Sequence, residues 1–403
     1  MMRSTLFFLL LPLCSGCGGE PASESVAPAT QPAPAATQTG SVADQAISDA
    51  TFPLRVEGTR FVNASGEPFA WRGITAFRLA EMISTGREAD VSRYLDWAAD
   101  RKLTVVRVLL MARHLFQLTP EAGRDALPEL LDLAKARGLA VEVVALADTE
   151  GLSFDYDAHV QSVGKIALEK GNAFVEIANE PGHATQDRRL HDPAAVRRLA
   201  ELVPQPVITA LGSAEYDEAY TGGDYATYHF PRHREWGHVL SLADAIPMLA
   251  KWKKPLINDE PIGAAAEYQA GRRDNSVERF GAAGALAEFI GMGSTFHYEG
   301  GLQASLPGER EAACLDAWQR GIDLAAGHAS GELLTGDALT SRLGRVSGGR
   351  QVFGRLNSDR AVVLVIDPPD PAAKTAVEWA DGWVEERRVT APGALLVTAT
   401  RRR

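Results

Sequence analysis

Three segments between residues 103 and 147 decide the fold: LTVVRVLLM (103–111), EAGRDALPELLDLAKAR (121–137) and LAVEVVALA (139–147). The first and third are short apolar runs typical of buried strands, whereas the second carries its apolar residues at helical spacing. A strand, a helix and a second strand in this order form the unit from which parallel sheets are built. The segments therefore predict an α/β protein.

The same alternation continues on both sides of these segments. Apolar runs predict eight strands, at 71–75, 103–111, 139–147, 173–178, 206–211, 225–230, 255–259 and 294–298. Amphipathic segments between most of them predict helices, at 90–101, 121–137, 155–170, 242–251, 276–290 and 309–324. Eight strands alternating with helices over about 260 residues predict a (β/α)8 TIM barrel. The alternative, a doubly wound open sheet, would need a glycine-rich phosphate turn after an early strand, and Gly73 and Gly151 are isolated.

Two β-rich segments flank this barrel. Residues 54–62 and 68–71 alternate apolar and polar side chains around the turn NASG (63–66), which predicts a hairpin. After residue 331 the pattern consists of strands and turns only, with runs at 351–356, 361–366, 376–379, 385–389 and 394–398. We therefore predict that the barrel with its hairpin spans 51–330 and that a small β-sandwich-like domain spans 331–403. Trp379 and Trp383 would suit a carbohydrate-binding module, but packing against the barrel is the interpretation we favour.

Composition excludes several classes of protein. The 403 residues include 41 Lys and Arg against 52 Asp and Glu, a formal net charge of −11, so no excess of positive charge favours nucleic acid. Three cysteines are too few for a disulfide framework or a four-cysteine zinc site. His229, His233 and His238 lack the tight spacing of a zinc motif. We predict neither a metal nor a cofactor.

The N-terminus has the features of an export signal. Arg3 precedes the apolar stretch 6–13, which is too short to span a bilayer, and small residues follow it. Ser15-Gly16-Cys17 resembles the bacterial lipobox, although Cys14 stands where that pattern prefers Leu. The resemblance implies a lipoprotein signal peptide over 1–17 and lipidation of Cys17. An ordinary secretory signal cut near Gly16 is the alternative.

Residues 18–50 are dominated by Ala, Pro, Ser, Thr, Gln and Gly, which predicts a disordered tether. The sequence thus predicts an exported protein, lipid-anchored to a bacterial membrane in the periplasm or at the cell surface, and otherwise monomeric.

Two glutamates follow predicted strands that lie three apart in the barrel. The fourth strand ends in Asn-Glu-Pro at 179–181, and the seventh ends in Asn-Asp-Glu-Pro at 258–261. Active sites of these barrels lie at the C-terminal ends of the strands, so Glu180 and Glu260 should face each other across the mouth. Such a pair suits an acid and a nucleophile flanking one glycosidic bond. Asp259 is the rival nucleophile, but alternation along a strand should let only one of the two neighbours point inward.

In these motifs the chain resembles the clan A glycoside hydrolases, which include family 5 with its cellulases and mannanases. The resemblance covers roughly residues 54–326. It implies that Glu180 is the acid/base, that Asn179 binds the sugar 2-hydroxyl and that Glu260 is the nucleophile of a retaining glycoside hydrolase acting on a poly- or oligosaccharide. As an acid, Glu180 should have a raised pKa.

The resemblance also suggests supporting residues. Arg107 interrupts the apolar second strand, and relatives often have an Arg there that pairs with the nucleophile; a salt bridge elsewhere is the alternative. His229 ends the sixth strand, where family 5 has a His followed two positions later by a Tyr. This chain has Pro231 at that place, which leaves Tyr228 or Tyr298 to supply the phenol.

Further residues could line the mouth. His297 or Tyr298 could stack on the sugar, since many relatives carry a Trp after the eighth strand. Trp236 would face a sugar from the loop after the sixth strand, and Asp148 would either line a subsite or be solvated. Two other functions stay open: a catalytically silent glycan-binding surface lipoprotein, and a metal-dependent barrel hydrolase acting on another bond.

Overall fold

A computed structural model describes residues 51–213, 217–269, 273–367 and 375–402. The predicted signal peptide, Cys17 and the predicted tether lie outside the described residues, so they remain predictions, as do the domain boundaries. Within the described ranges, no helix combines the length and apolarity needed to cross a membrane.

The barrel is an eight-stranded parallel sheet, which confirms the predicted fold class. Three short strands precede it: β1 (Arg55–Glu57), β2 (Arg60–Val62) and β3 (Pro68–Phe69). Its own strands are β4 (Arg72–Thr75), β5 (Val105–Leu109), β6 (Ala140–Leu146), β7 (Ala173–Ala178), β8 (Ile208–Ala210), β9 (Ala226–Thr227), β10 (Leu256–Asn258) and β13 (Gly293–Phe296). Two further short strands, β11 (Gly263–Ala264) and β12 (Arg273–Asp274), pair with each other in the loop after β10. The seam of the nearly closed barrel lies between β8 and β9.

Helices follow the barrel strands and begin and end at residues that suit those positions. Thr119 and Asp155 accept hydrogen bonds from first-turn amides, and helices end at Gly171 and Gly291 with φ of 78° and 85°, which glycine adopts without strain. The barrel helices are α1 (Leu79–Ser84), α2 (Glu88–Asp100), α3 (Pro120–Lys135), α4 (Tyr156–Lys170), α5 (Pro193–Ala200), α6 (Gly237–Leu240), α7 (Ala245–Trp252), α8 (Val277–Ile290) and α9 (Glu309–Ala325).

The N-terminal hairpin closes the bottom of the barrel. Strands β1, β2 and β3 form an antiparallel sheet, and Phe61 places its ring 5.0 Å from that of Phe174 and 5.5 Å from that of Trp71. Tyr225 completes this aromatic cluster at 5.7 Å from Phe61. Buried aromatic area of this kind is a large stabilising contribution. The hairpin therefore packs over this end of the barrel, and a site is expected at the opposite end.

The C-terminal residues form a five-stranded antiparallel sheet and a two-stranded ribbon, together with one short helix, α10 (Gly336–Arg342). The strands are β14 (Glu332–Leu334), β15 (Gly344–Ser347), β16 (Gln351–Leu356), β17 (Arg360–Ile366), β18 (Ala376–Trp379), β19 (Trp383–Ala391) and β20 (Ala394–Arg401). Alternate residues of β17 face opposite layers: Val363 packs in the sheet's own core, whereas Val362 and Leu364 pack with residues of α8. Trp383 is buried in the sheet's own core. Packing against the barrel thus accounts for this apolar strand.

Candidate active site

The end of β7 presents Glu180 in a left-handed conformation. Its φ is 44°, an uncommon value for a residue with a side chain, and such strain concentrates at functional sites. The turn is held by hydrogen bonds: His183 N donates to the Glu180 carbonyl at 2.8 Å, and the buried Gln186 side chain donates to the Asn179 carbonyl. Thr149 fixes Gln186 in turn through a 2.7 Å hydrogen bond.

A glycine on the neighbouring strand makes room for this turn. Gly212 follows β8 with φ of 92°, and a Cβ there would lie 1.8 Å from the Ala178 carbonyl oxygen and 2.9 Å from Oε1 of Glu176. Only glycine permits both the conformation and this approach. The position of Glu180 is therefore set by the ends of two adjacent strands.

Two arginines hold the carboxylate of Glu260. Arg107 Nη1 donates to Oε2 at 2.9 Å, and Arg232 Nη2 donates to Oε1 at 3.0 Å. Arg232 Nη2 also donates to the Glu260 backbone carbonyl at 2.9 Å. Charge-assisted hydrogen bonds of this kind are the strong ones, so they fix the orientation of the carboxylate in the mouth.

Glu180 and Glu260 meet at His229. His229 Nδ1 donates to Oε1 of Glu180 at 2.8 Å. One carboxylate oxygen of Glu180, one of Glu260 and one ring nitrogen of His229 all lie within 4.8 Å of one another. The glutamate side chains are 21% and 13% exposed, so both remain accessible from the mouth while His229 is buried.

Arg107 is the centre of a buried carboxylate cluster, which we define as Glu142, Glu176 and Asp259. Its Nη2 donates to Glu176 at 3.0 Å and to Oδ1 of Asn179 at 2.9 Å, and its Nε lies 3.0 Å from Asp259 and 3.5 Å from Glu142. All four charged side chains are fully buried. One guanidinium thus links Asn179, the buried carboxylate cluster and Glu260.

The cluster cannot be fully ionised around a single guanidinium. Burial and the neighbouring Asp259 and Glu176 carboxylates hold the pKa of Glu142 well above its usual range, although Arg107 opposes this. Burial likewise raises the pKa of Glu176 to about 8. For Asp259 burial also favours the neutral acid, but Arg107 and His229 outweigh it and lower the pKa. Near neutral pH, Glu142 and Glu176 therefore hold protons.

Glu180 and Glu260, the two glutamates at the mouth, have lowered rather than raised pKa values. Burial favours their neutral forms, but His229, Arg232 and Arg107 together hold the pKa of Glu260 well below its usual range. The hydrogen bond and charge of His229 lower the pKa of Glu180 against the same effect of burial. His229 itself would lose its proton through burial, yet Asp259, Glu180 and Glu260 raise its pKa to about 10.

The expectation of a raised pKa for Glu180 is therefore wrong for the free site. The physical reason is the adjacent imidazolium, which stabilises the carboxylate more than burial destabilises it. The proton of the pair resides on His229, 2.8 Å away.

The structure brings together most of the candidate residues predicted from sequence. Glu180, Glu260, Asn179, Arg107 and His229 form one connected network. His297 lies beside it, buried, with Nδ1 2.9 Å from the Thr75 hydroxyl.

Four other candidates lie apart from this network. Tyr298 is buried, and its hydroxyl contacts that of Tyr94 at 2.9 Å and donates to the Ser305 carbonyl. Tyr228 packs between the barrel and its helices with Phe230, at a ring distance of 5.0 Å.

Trp236 lies under the guanidinium of Arg350, at 5.4 Å, on the side of the C-terminal sheet. Asp148 accepts hydrogen bonds from the backbone amides of Arg113 and His114, so it fixes the loop after β5.

Sequence reasoning missed Arg232 and two members of the buried carboxylate cluster, Glu142 and Glu176. Glu142 and Glu176 interrupt apolar strands in the same way as Arg107, and a charged residue in a buried strand requires a partner; this signal could have found them. Asp259 and Glu260 both contact Arg107, contrary to the expectation that only one faces inward, because β10 ends at Asn258 and alternation ends with it.

Two sets of residues in the described part of the chain have the spacing of metal ligands: Glu180 with His229 and Glu260, and the buried carboxylate cluster. The first contains His229, whose raised pKa keeps it cationic near neutral pH, and the second surrounds Arg107. The carboxylates of each set thus already contact a cationic side chain.

Comparisons with known proteins agree with the fold. No family model matches the sequence, and a search of curated proteins finds no match. Among solved structures, one described as a glycoside hydrolase aligns with a TM-score of 0.60 at 14% identity, covering 87% of this chain and 97% of that one. A family 5 glycoside hydrolase from Bacteroides vulgatus gives 0.59 at 14% identity, with 87% and 93% covered.

A β-glucanase from Saccharophagus degradans, solved in complex with cellotetraose, aligns with a TM-score of 0.52 at 13% identity, over 68% of this chain and 94% of that one. At such identities the likeness establishes a shared architecture. The resemblance to barrel enzymes of the family 5 type is thus confirmed in its fold.

Proposed function

We propose that the protein is a retaining glycoside hydrolase that cleaves O-glycosidic bonds of a poly- or oligosaccharide. The observation that carries the proposal is the facing pair Glu180 and Glu260, which have carboxylate oxygens within 4.8 Å of each other. Retaining enzymes place the two carboxyl groups about 5–5.5 Å apart, whereas inverting enzymes leave about 6.5–9.5 Å for a water molecule. An approach to within 4.8 Å by one oxygen of each carboxylate supports the retaining arrangement.

In this proposal Glu260 is the nucleophile. Its lowered pKa keeps it ionised, and Arg107 and Arg232 orient it toward the anomeric carbon. A carboxylate oxygen forms a bond to that carbon while the bond to the leaving oxygen breaks, and Glu180 gives the leaving oxygen a proton. Water then attacks the glycosyl-enzyme, with Glu180 now acting as base. In this proposal Asn179, whose Oδ1 accepts a hydrogen bond from Arg107, binds the sugar 2-hydroxyl.

His229 keeps the proton that Glu180 delivers. Because its pKa is raised to about 10 and that of Glu180 is lowered, the free site holds an imidazolium and a carboxylate 2.8 Å apart. When a leaving oxygen approaches, the proton can pass from Nδ1 of His229 to Glu180 and on to the sugar. The proton is thus held by the pair, and either group alone would retain it less well.

Replacing His229 by Asn should narrow the pH profile of kcat/KM from both sides. In the wild type the pair loses its proton only as pH approaches the raised pKa of His229; in His229→Asn, Glu180 must hold the proton alone, so the upper limb moves to lower pH. His229 also lowers the pKa of Glu260, so its loss moves the lower limb to higher pH. A profile unchanged in shape, with reduced rate only, would refute this role.

The central test is a screen of the purified protein against aryl glycosides and against plant and bacterial polysaccharides. The proposal predicts that the wild type hydrolyses a substrate with retention of anomeric configuration, which NMR can follow. It also predicts that Glu260→Gln does not hydrolyse that substrate. Tight glycan binding by the wild type without any release of sugar would instead favour the catalytically silent glycan-binding protein.

We further propose that the protein is exported and anchored through a lipid on Cys17, supported by the lipobox-like Ser15-Gly16-Cys17. Two acyl chains give stable membrane attachment, whereas one does not. Cys17→Ala should therefore move the protein from the membrane fraction to the soluble fraction without changing its specific activity. Membrane association that survives the substitution would refute lipidation at this residue.

A further inference from the structure

A second buried ion-pair cluster lies outside the network around Arg107, and it consists of His238, Asp274 and Arg279. Nε and Nη2 of Arg279 donate to the two carboxylate oxygens of Asp274, each at 2.6 Å, and Nε2 of His238 lies 2.8 Å from Oδ2. Asp274 is fully buried, and the His238 side chain is only 6% exposed. A buried carboxylate is stable only with partners of this kind, so the cluster fixes the three elements that supply it.

The cluster contains an ion pair and a neutral histidine. Burial alone would favour the neutral acid, but hydrogen bonds from Arg279 and His238 hold the pKa of Asp274 well below its usual range. Burial lowers the pKa of His238, although Asp274 opposes this. Because an ionised carboxylate can only accept hydrogen bonds, the proton of the neutral imidazole lies on Nε2 and points at Asp274. His238 is therefore a directed donor to Asp274.

This contact joins the two segments that supply Arg232 and Glu260. His238 lies on α6, which follows Arg232, and Asp274 ends β12, which pairs with β11 shortly after Glu260. The Ala265 amide donates to the Asp274 carbonyl at 3.0 Å, which ties Asp274 to the chain that leads away from Glu260. At the mouth the same two segments meet again, because Arg232 donates to both the carboxylate and the carbonyl of Glu260.

A cavity lies behind this part of the mouth. Its volume is about 30 Å³, and its lining includes His238 together with Pro231 and Pro261, the chain neighbours of Arg232 and Glu260. Helices α8 and α9 line it with the side chains of Phe280, Ala283, Ala287 and Trp318. Protein interiors are otherwise close-packed, and a side chain beside a void lacks neighbours on that side. Packing therefore restrains these two segments less here, and the polar contacts between them matter more.

We propose that His238, held by Asp274, is a positioning residue that keeps Arg232 against Glu260. This inference rests on the proposed glycosidase function. Without the contact between His238 and Asp274, the segment after β9 can shift relative to Glu260, and Arg232 then orients the nucleophile less well. A displacement of about 1 Å caused by a distant substitution can lower the rate about 10²-fold. His238 thus acts through Arg232 and takes no part in the chemistry itself.

The first test replaces His238 by Leu and by Gln. Leu keeps most of the volume but cannot donate, so His238→Leu should lower kcat/KM for aryl glycosides by about tenfold or more. Gln can donate from a similar position, so His238→Gln should keep most of the wild-type activity. The matched control is His159→Leu, because His159 on α4 is also buried and donates to the Ala145 carbonyl at 2.9 Å. This control should lower the melting temperature but leave kcat/KM as it is.

A double-mutant cycle separates positioning from a general structural role. Arg232→Gln removes the donor through which His238 is proposed to act. In that background His238→Leu should lower kcat/KM by no more than about twofold further, against about tenfold or more in the wild type. A merely structural role would lower kcat/KM by the same factor in both backgrounds. If His238→Leu does not fold, Asp274→Asn provides the same cycle, since Asn keeps the size of the side chain and loses its charge.

Two results would overturn the inference, and they are distinguishable. Suppose that hydrolysis requires Glu260, but His238→Leu leaves kcat/KM unchanged or lowers it equally with and without Arg232. His238 then does not act through Arg232, and the glycosidase proposal stands. If instead the wild type shows no hydrolysis that depends on Glu260, the proposed function fails and this inference fails with it.

Discussion

Glu260→Ala should lower kcat on every substrate by about 10⁴-fold or more, the range found when a catalytic nucleophile is removed. The substitution deletes the carboxylate that forms the glycosyl-enzyme, and nothing else in the described network can replace it at the same position. Asp259 is fully buried and lies against Arg107 and His229. Mass spectrometry with a slow fluorinated aryl glycoside should detect a covalent adduct on the wild type and none on the variant.

The control for Glu260→Ala is its behaviour with azide. A small anion can occupy the space left by the carboxylate and attack the anomeric carbon of an activated aryl glycoside, so azide should restore part of the rate and yield a glycosyl azide of inverted configuration. Because removing a buried charge also leaves Arg107 with fewer partners, thermal unfolding should be measured alongside. Wild-type turnover by a folded Glu260→Ala protein would end the assignment.

Glu180→Ala should reduce hydrolysis of substrates with poor leaving groups by about 10²–10⁴-fold, the usual contribution of a positioned acid. Aryl groups that leave readily as phenolates need little protonation, so for these the first step should slow much less and the glycosyl-enzyme should accumulate. The measurement is a plot of kcat/KM against leaving-group pKa, which should be steep for the variant and shallow for the wild type.

A matched variant separates chemistry from folding in this case. Glu180→Gln keeps the size of the side chain and can still contact His229, but it carries no transferable proton, so it should show the same dependence on leaving group. If both variants lost activity equally on good and poor leaving groups, Glu180 would have to be reinterpreted as a binding or structural residue.

How far the sequence predicts this site depends on how the residues are distributed along the chain. Glu180, Asn179 and Glu260 follow apolar strands directly, and the rule that barrel sites lie at strand ends places them together. Arg107 is predictable because a charge inside an apolar strand needs a partner. The fold is predictable because short apolar runs typical of buried strands alternate regularly with segments whose apolar residues have helical spacing.

Other residues could not be placed by such rules. Arg232 belongs to the loop after β9, and nothing local indicates that its side chain reaches Glu260. From sequence alone, Tyr228 and Tyr298 could each face the mouth or the helices. The register of β9 turns Tyr228 away from Glu260, and the turn after β13 does the same for Tyr298. The lowered pKa of Glu180 depends on His229, 49 positions away in sequence, so no local pattern contains it.

The protons on Glu142 and Glu176, which lie beneath the mouth, should affect how the stability of the fold depends on pH. A buried carboxyl whose pKa is raised on folding stabilises the fold fully below the pKa of the unfolded chain, about 4.3, and loses that contribution as pH rises through the folded value. For Glu176 the folded pKa is about 8, below the value of about 10 for His229. The urea midpoint should therefore fall as pH rises from about 4.3 toward 8 and level off above 8, and it should fall less in Glu176→Gln.

Under the proposed function, the contribution of Glu176 to the stability of the fold is thus lost at a lower pH than the proton that the mouth needs. Activity lost through titration of the mouth returns at once on neutralisation, whereas activity lost through an opened barrel returns only as fast as the chain refolds. A pH-jump experiment that follows recovery over time separates the two, and it indicates which part of an alkaline limb belongs to catalysis.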